Sequence, residues 1–296
     1  MAGPGPLIRQ TVGAELAQSV SPAVAAMSEA IVQRHGAPVE ACLFYGSCLR
    51  DKEDRDRVLD FYLLASDYRS FHGRWWPALL NRLLPPSVYY IETPFEGRTL
   101  RAKYAVLSLA DFERRCTARA LLPTLWARMA QPCALIYAKS DRARARMTEA
   151  LARAVETTAE AALPLMASGF AAPNLWVRAF RESYRTELRA ERPGRAEQLV
   201  ASYGARYESF GTDWGRPTSR QRAAATWLLR RLLGRIAHVL RLIKTAHTFT
   251  NGLDYVLWKI EQHSGVHTEP TPWQRRHPIL AAPLLAWRLY RAKAIR

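Results

Sequence analysis

Five strand-length apolar runs crowd into the first 140 residues, and nothing of that kind follows them. They are Ala41 to Tyr45, Val58 to Leu64, Val88 to Ile91, Leu100 to Leu107 and Ala134 to Tyr137. Between them lie turn-forming and helix-like segments. Gly46-Ser47 closes the first run, and Thr93 to Arg98 separates the third from the fourth as a hairpin turn would. A helix is expected from about residue 24 to 35 after a loose lead, another from Phe71 to the Pro85-Pro86 stop, and a third around Asp111 to Met129. Strands mixed with helices predict an α/β (α+β) domain with a mixed sheet over residues 1–140. Beyond Asp141 the periodicity is helical almost throughout, which predicts a mostly helical C-terminal domain over residues 141–260 and a separate tail over 261–296.

Composition narrows the class. Hydrophobic residues make up 49% of the chain, with 9 Trp and 12 Tyr, too apolar and aromatic for a disordered polymer. The longest charge-free stretch, Ala161 to Val177, is interrupted by Pro164, Gly169, Pro173 and Asn174, so no spanning helix is expected. With no secretory pattern at the N-terminus, the expected address is cytoplasmic. Cys42, Cys48, Cys116 and Cys133 have neither C-x-x-C spacing nor a neighbouring His at a zinc interval, and are read as reduced core thiols. Lys and Arg total 43 against 26 Asp and Glu, a net charge of +17, which points to an anionic partner. Nucleic acid, a nucleoside triphosphate and an anionic membrane surface all satisfy it, as does a merely solvated basic surface.

The run Val58 to Leu64 carries the chemistry. Alternation puts Val58, Asp60, Tyr62 and Leu64 on one face and Leu59, Phe61 and Leu63 on the other. A carboxylate in so apolar a strand is costly unless it is paired, hydrogen-bonded or on a metal. Upstream, Tyr45-Gly46-Ser47 forms a turn in which glycine lets backbone amides approach a phosphate and the Ser47 hydroxyl can donate to it. Strand, Gly-Ser and a later strand aspartate together resemble the active-site opening of the DNA polymerase beta type nucleotidyltransferases. One feature departs from that pattern: Tyr62 stands where a second carboxylate usually follows.

A longer series of elements resembles the mitochondrial-type phosphatidate cytidylyltransferases, the translocator assembly and maintenance family. The series runs Tyr45-Gly46-Ser47, Leu59-Asp60-Phe61, Asp67 and His72, Val88-Tyr89-Tyr90, Gly97-Arg98, Lys103-Tyr104 and Val106-Leu107-Ser108. It continues more loosely as Ala127 to Pro132, then Ser183-Tyr184-Arg185-Thr186-Glu187-Leu188-Arg189, then Lys244-Thr245-Ala246. In that family a single strand aspartate is the rule, so Tyr62 fits it. The resemblance implies a Mg2+-dependent enzyme making CDP-diacylglycerol and pyrophosphate from CTP and phosphatidic acid. It implies that Asp60 binds Mg2+, that Tyr45, Gly46 and Ser47 hold the phosphates, and that Lys103 neutralises the triphosphate. Ser183, Tyr184, Arg189 and Lys244 become further nucleotide-binding candidates, and Asp67, Glu92 or Glu96 a further metal ligand. A phosphate monoester is itself nucleophilic near neutral pH, so no strong general base is required.

Two segments bear on a membrane. Leu229, Leu232, Leu233, Ile236, Leu240 and Ile243 share one helical face, read first as a packing face and secondly as a basic amphipathic surface helix. The tail from Trp273 carries Arg275, Arg276, Arg288, Arg291, Lys293 and Arg296 without an acid, interleaved with Ile279, Leu280, Leu284, Leu285, Trp287, Leu289 and Tyr290. That pattern suits a peripheral segment on the anionic inner face of a membrane. Nucleic acid is the less favoured partner, and oligomeric state is left open. The competing readings are a nucleotidyltransferase acting on RNA or a small molecule, and an inactive membrane adaptor of the same fold.

Overall fold

A computed structural model describes residues 5–55, 57–187, 194–214, 219–248 and 269–276, with single positions at 281, 284, 285, 287, 288 and 291. Arg189 and, in the tail, Ile279, Leu280, Leu289, Tyr290, Lys293 and Arg296 lie outside the described residues, as do the side chains of Ile243, Thr245, Ala246, Arg275 and Arg276.

The chain is a mixed α/β protein. It begins with α1 (Pro6–Leu16) and α2 (Pro22–His35), the first of them where a loose lead is expected. Pro6 opens α1, and Ile8, Val12 and Leu16 recur at helical spacing on its buried side, an amphipathic pattern that holds it against the core. Then come β1 (Val39–Tyr45), α3 (Ser47–Asp51), β2 (Val58–Ala65), α4 (Tyr68–His72), α5 (Trp75–Leu83), β3 (Ser87–Phe95) and β4 (Arg98–Ser108). The unbroken helix expected from Phe71 is divided, because Gly73 turns the chain in the left-handed region at φ 64° and ends α4. Next are α6 (Leu109–Arg115), α7 (Trp126–Met129) and β5 (Cys133–Ala138). The helix expected from Asp111 to Met129 is thus two short ones, with Pro123 in the non-helical stretch between them.

The sheet runs β3-β4-β2-β1-β5, with β2 and β4 parallel and the other pairs antiparallel. Glu96 and Gly97, at φ 46° and 74°, make the two-residue turn joining β3 to β4. Pro94 is tolerated because β3 is an edge strand. β1 and β2 read as continuous apolar runs because both faces of the sheet are covered. Leu59, Phe61 and Leu63 enter one core with Met27 and Ile31 of α2. Tyr62 and Leu64 enter the other, which extends through α8 (Asp141–Ala162) and α9 (Ala172–Tyr184). Ala150, Ala154 and Ala159 are buried on α8, and their short side chains allow neighbouring elements to approach closely.

That larger core also takes in α10 (Arg195–Ser202), α11 (Gly204–Ser209) and Trp227 of α12 (Arg220–Thr248). A short α13 (Pro272–Arg276) follows. The leucine stripe of α12 is turned outward: Leu229, Leu232, Leu233, Ile236 and Leu240 are exposed, against the expectation of a packing face. The inner face is instead Ala223, Trp227, Arg230, Gly234 and Lys244, all buried. A Cβ on Gly234 would sit 2.5 Å from the Thr186 carbonyl oxygen, so α12 crosses the end of α9 at a distance only glycine permits. Leucine has no room there. The inner cations are bonded to chain carbonyls: Arg230 donates to Leu121 O at 3.0 Å, Arg241 to Pro85 O at 2.9 Å, and Lys244 to Leu84 O at 2.5 Å and Pro86 O at 2.7 Å.

Candidate active site

Strand pairing sets one row of residues side by side across the sheet. Cys133, Tyr45, Asp60, Lys103 and Tyr90 are successive register partners on β5, β1, β2, β4 and β3. Asp60 occupies the face shared with Tyr62, as alternation along β2 requires. Lys103 Nζ stands 3.1 Å from Asp60 Oδ1, with both side chains still reached by solvent. The pair has the distance of an ion pair but lacks hydrogen-bond alignment, and Asp60 Oδ1 is buried without a hydrogen-bond partner.

Gly46 follows β1 at φ 94° and ψ −158°, a conformation essentially reserved for glycine. A Cβ there would lie 3.2 Å from Asp60 Oδ2, so the Gly46 backbone is laid over the carboxylate. Ser47 starts α3 directly after it. Tyr45, Gly46, Ser47, Asp60 and Lys103, separated by up to 58 residues of sequence, are thus brought to one place. Burial and the neighbouring Asp60 charge push the Tyr45 phenol well above its ordinary pKa, so it stays protonated. Gly46→Ala is expected to cost about 1–3 kcal/mol of stability for the forced backbone. It should also displace the Asp60 carboxylate, which the urea midpoint reads as a lowered stability.

Tyr62 has a definite task. Its ring packs on Tyr45 with centroids 5.0 Å apart, and its hydroxyl accepts from Arg128 Nη1 at 3.4 Å. Arg128 Nη2 donates to Glu187 Oε1 at 3.3 Å. The Tyr62 phenol therefore anchors an arginine, which in turn holds the segment just beyond α9. Arg115 and Arg241 stand near enough to exchange electrostatic influence in the same neighbourhood. The resemblance included Arg128 and Glu187 within its motifs but gave neither a role, and their partnership joins segments 59 residues apart. An arginine and an acid in separately matched elements are the one signal that could have paired them.

Other expected residues lie elsewhere. Ser183 is buried, and its hydroxyl donates to Phe180 O at 2.9 Å inside α9. Tyr184 packs on the large core. Lys244 binds the Leu84–Ser87 linker, about 14 Å from Asp60 by strand spacing. Asp67 caps α4 at the far end of β2, accepting from Ser70 N at 2.8 Å. Glu92 is two strands from Asp60 and takes bonds from Tyr90 at 2.7 Å and Arg101 at 3.2 Å, and Glu96 sits in the hairpin turn. No group of three or more His, Cys, Asp or Glu able to hold a metal occurs among the described residues. The donor set would fit Mg2+ in one way: Asp60 would offer a carboxylate whose Oδ1 accepts no hydrogen bond, and phosphates and water would have to supply the rest of the shell.

His72 lies on the opposite side of the sheet, against Tyr89 Oη at 3.2 Å and the buried Asn81 Nδ2 at 3.2 Å. His35 is 2.9 Å from Tyr104 Oη and stacks on Phe71. Burial pushes both imidazoles down to about 4, His35 also feeling Arg34 and His72 feeling Lys244. In the unfolded chain both titrate near 6.5. Above that pH neither state takes up the proton, and below it only the unfolded state does until about 4. Stability is therefore expected to fall between pH 6.5 and 4, by about 2 kcal/mol in total after allowing for the water that reaches the rings. Urea midpoints across that window test this, and replacing His72 and His35 with Asn should flatten the slope.

No protein-family model matches this chain, and no curated protein matches its sequence.

Proposed function

We propose that the protein is a Mg2+-dependent CTP:phosphatidate cytidylyltransferase acting at a membrane surface. The observation that carries this reading is the Asp60–Lys103 pair beneath the Gly46-Ser47 turn: a carboxylate oxygen without a hydrogen bond, beside an ammonium, under a backbone held open by glycine. The ordered motif series from Tyr45 to Lys244 supports the choice of substrates.

Asp60 would hold Mg2+, which when bound neutralises and orients the triphosphate. The amides around Gly46 and the Ser47 hydroxyl bind the β- and γ-phosphates. A phosphate oxygen of phosphatidate attacks the α-phosphorus of CTP. The bond from the α-phosphorus to the bridging oxygen breaks, and pyrophosphate leaves with that electron pair. Lys103 offsets the negative charge that gathers on the triphosphate as this happens. The Arg128–Glu187 link keeps the helical layer in register with the reacting row.

No described helix is long and apolar enough to cross a membrane. On this reading phosphatidate is met at the bilayer surface, to which a chain of net charge +17 is attracted. Pyrophosphate release from CTP and Mg2+ with phosphatidate vesicles tests the reading. Turnover requiring both substrates supports it. Absence of turnover with any nucleoside triphosphate while vesicles are still bound refutes it.

A further inference from the structure

Two helices of this protein are inside out. On α12 the aliphatic face is in solvent, with Leu232 60% and Ile236 50% exposed, while Arg230 and Lys244 are buried and bonded to carbonyls. On α5, Trp75 is 66% and Leu83 70% exposed, while the polar Asn81 is fully buried and donates to Val106 O at 3.3 Å. Leaving such faces in water forfeits their transfer free energy, about 25 cal/mol for each Å2 of apolar surface. The two faces are also joined: Arg241 and Lys244 of α12 clasp the linker that begins where α5 ends.

Charge identifies what covers them. Residues 220–248 contain seven Lys and Arg and no Asp or Glu, and residues 68–91 contain three Arg and no acid. A second copy packed face to face would set the exposed Arg69, Arg74, Arg82, Arg220, Arg222 and Arg235 against their own counterparts, which like-charge repulsion opposes. An anionic bilayer meets both requirements, with hydrocarbon for the leucines and tryptophans and headgroups for the arginines beside them. Exposed Arg74 and Arg82 flank the α5 face, and exposed Arg235 adjoins the stripe of α12, whose length is about 43 Å.

We infer that the outer faces of α5 and α12, joined at the Leu84–Ser87 linker, form one docking surface for an anionic phospholipid bilayer. This deepens the proposed function by naming how the protein reaches a lipid substrate, and rests on that reading only for the identity of the lipid consumed.

Sedimentation with vesicles, without nucleotide, tests it. Phosphatidylcholine vesicles are compared with phosphatidylcholine–phosphatidylglycerol vesicles, the second lipid being anionic but not the proposed substrate. Wild type should bind the anionic vesicles preferentially. Leu232→Ser/Ile236→Ser/Leu240→Ser and Trp75→Ser/Leu79→Ser/Leu83→Ser should each weaken that binding at least about tenfold, with unchanged circular dichroism. Should either variant fold poorly, Trp75→Phe/Trp76→Phe replaces it: brominated phosphatidylcholine in anionic vesicles should quench wild-type tryptophan fluorescence, and quench the variant less. Undiminished binding by both serine variants, or equal quenching, overturns the inference. So does a wild-type dimer that the serine substitutions convert to monomer, since a second copy would then be the occupant. The proposed function fails separately: variants that lose vesicle binding in a protein that never turns over leave the docking surface standing. Turnover on dispersed short-chain phosphatidate without vesicle binding does the reverse.

Discussion

On the proposed function, Asp60→Asn is expected to lower pyrophosphate release from CTP and phosphatidate by about a thousandfold, the order of effect of losing a preorganised electrostatic contact to the transition state. The substitution is nearly isosteric and keeps the strand intact. It removes the one carboxylate in the cross-sheet row and leaves an amide, a poor Mg2+ ligand, beneath Gly46. Its stability effect should be small, because the Lys103 partner is reached by solvent and such pairs contribute about 0–1 kcal/mol. The diagnostic result is therefore a collapse in turnover and in Mg2+-dependent CTP binding at an almost unchanged urea midpoint. Turnover within tenfold of wild type would remove Asp60 from the chemistry. A collapse accompanied by unfolding would mean that the carboxylate is there for the sheet.

Glu182→Ala should have the largest effect on stability, about 3 kcal/mol. Glu182 is fully buried on α9 and is approached by Arg231 of α12 at 2.6 Å, Arg185 at 3.0 Å and Arg178 at 3.3 Å. Removing a buried partner strands the opposite charges, and losses of about 3–5 kcal/mol are usual. The lower end applies here because all three arginines keep some contact with water. Arg231 ties α12 to α9 one turn before Gly234 meets Thr186, so the same change should loosen the outward presentation of the leucine face. Urea unfolding measures the first effect, and limited proteolysis within residues 219–248 the second. Glu182→Gln, which keeps a hydrogen-bonding oxygen, should fall between the two. A loss below 1 kcal/mol would show that Trp227 and Arg230 hold α12 by themselves.

The elements that were legible in the chain are those governed by local rules. β2 was readable because its alternation is short and both faces are apolar, and Asp60 stood out because such a strand seldom tolerates a carboxylate. The β3–β4 hairpin was readable from the turn-rich segment Thr93 to Arg98, which the structure narrows to Glu96-Gly97 with both φ values positive. The division of α4 from α5 was not, since Phe71 to Leu84 keeps a helical pattern across Gly73, and only the capping geometry shows where the chain bends. The Tyr62–Arg128–Glu187 chain was hidden because its members are contributed by β2, α7 and the segment just beyond α9, and nothing local connects them. His72 appeared among motif residues, yet the structure puts it across the sheet from Asp60.

Charge, strand chemistry and motif order were thus determined by the sequence by itself: a basic mixed α/β chain with a carboxylate, Asp60, in the strand that follows a Gly-Ser turn. Those features follow from backbone periodicity and residue chemistry, which act over a few residues. Tertiary structure alone decided that Lys103 faces Asp60, that the Tyr62 hydroxyl takes an arginine, and that the leucine stripe of α12 points outward. Helical periodicity says that a face is apolar but not toward what it turns. The direction was set by Gly234 against Thr186 and by inner cations bonded to carbonyls, contacts made across more than 45 residues of chain.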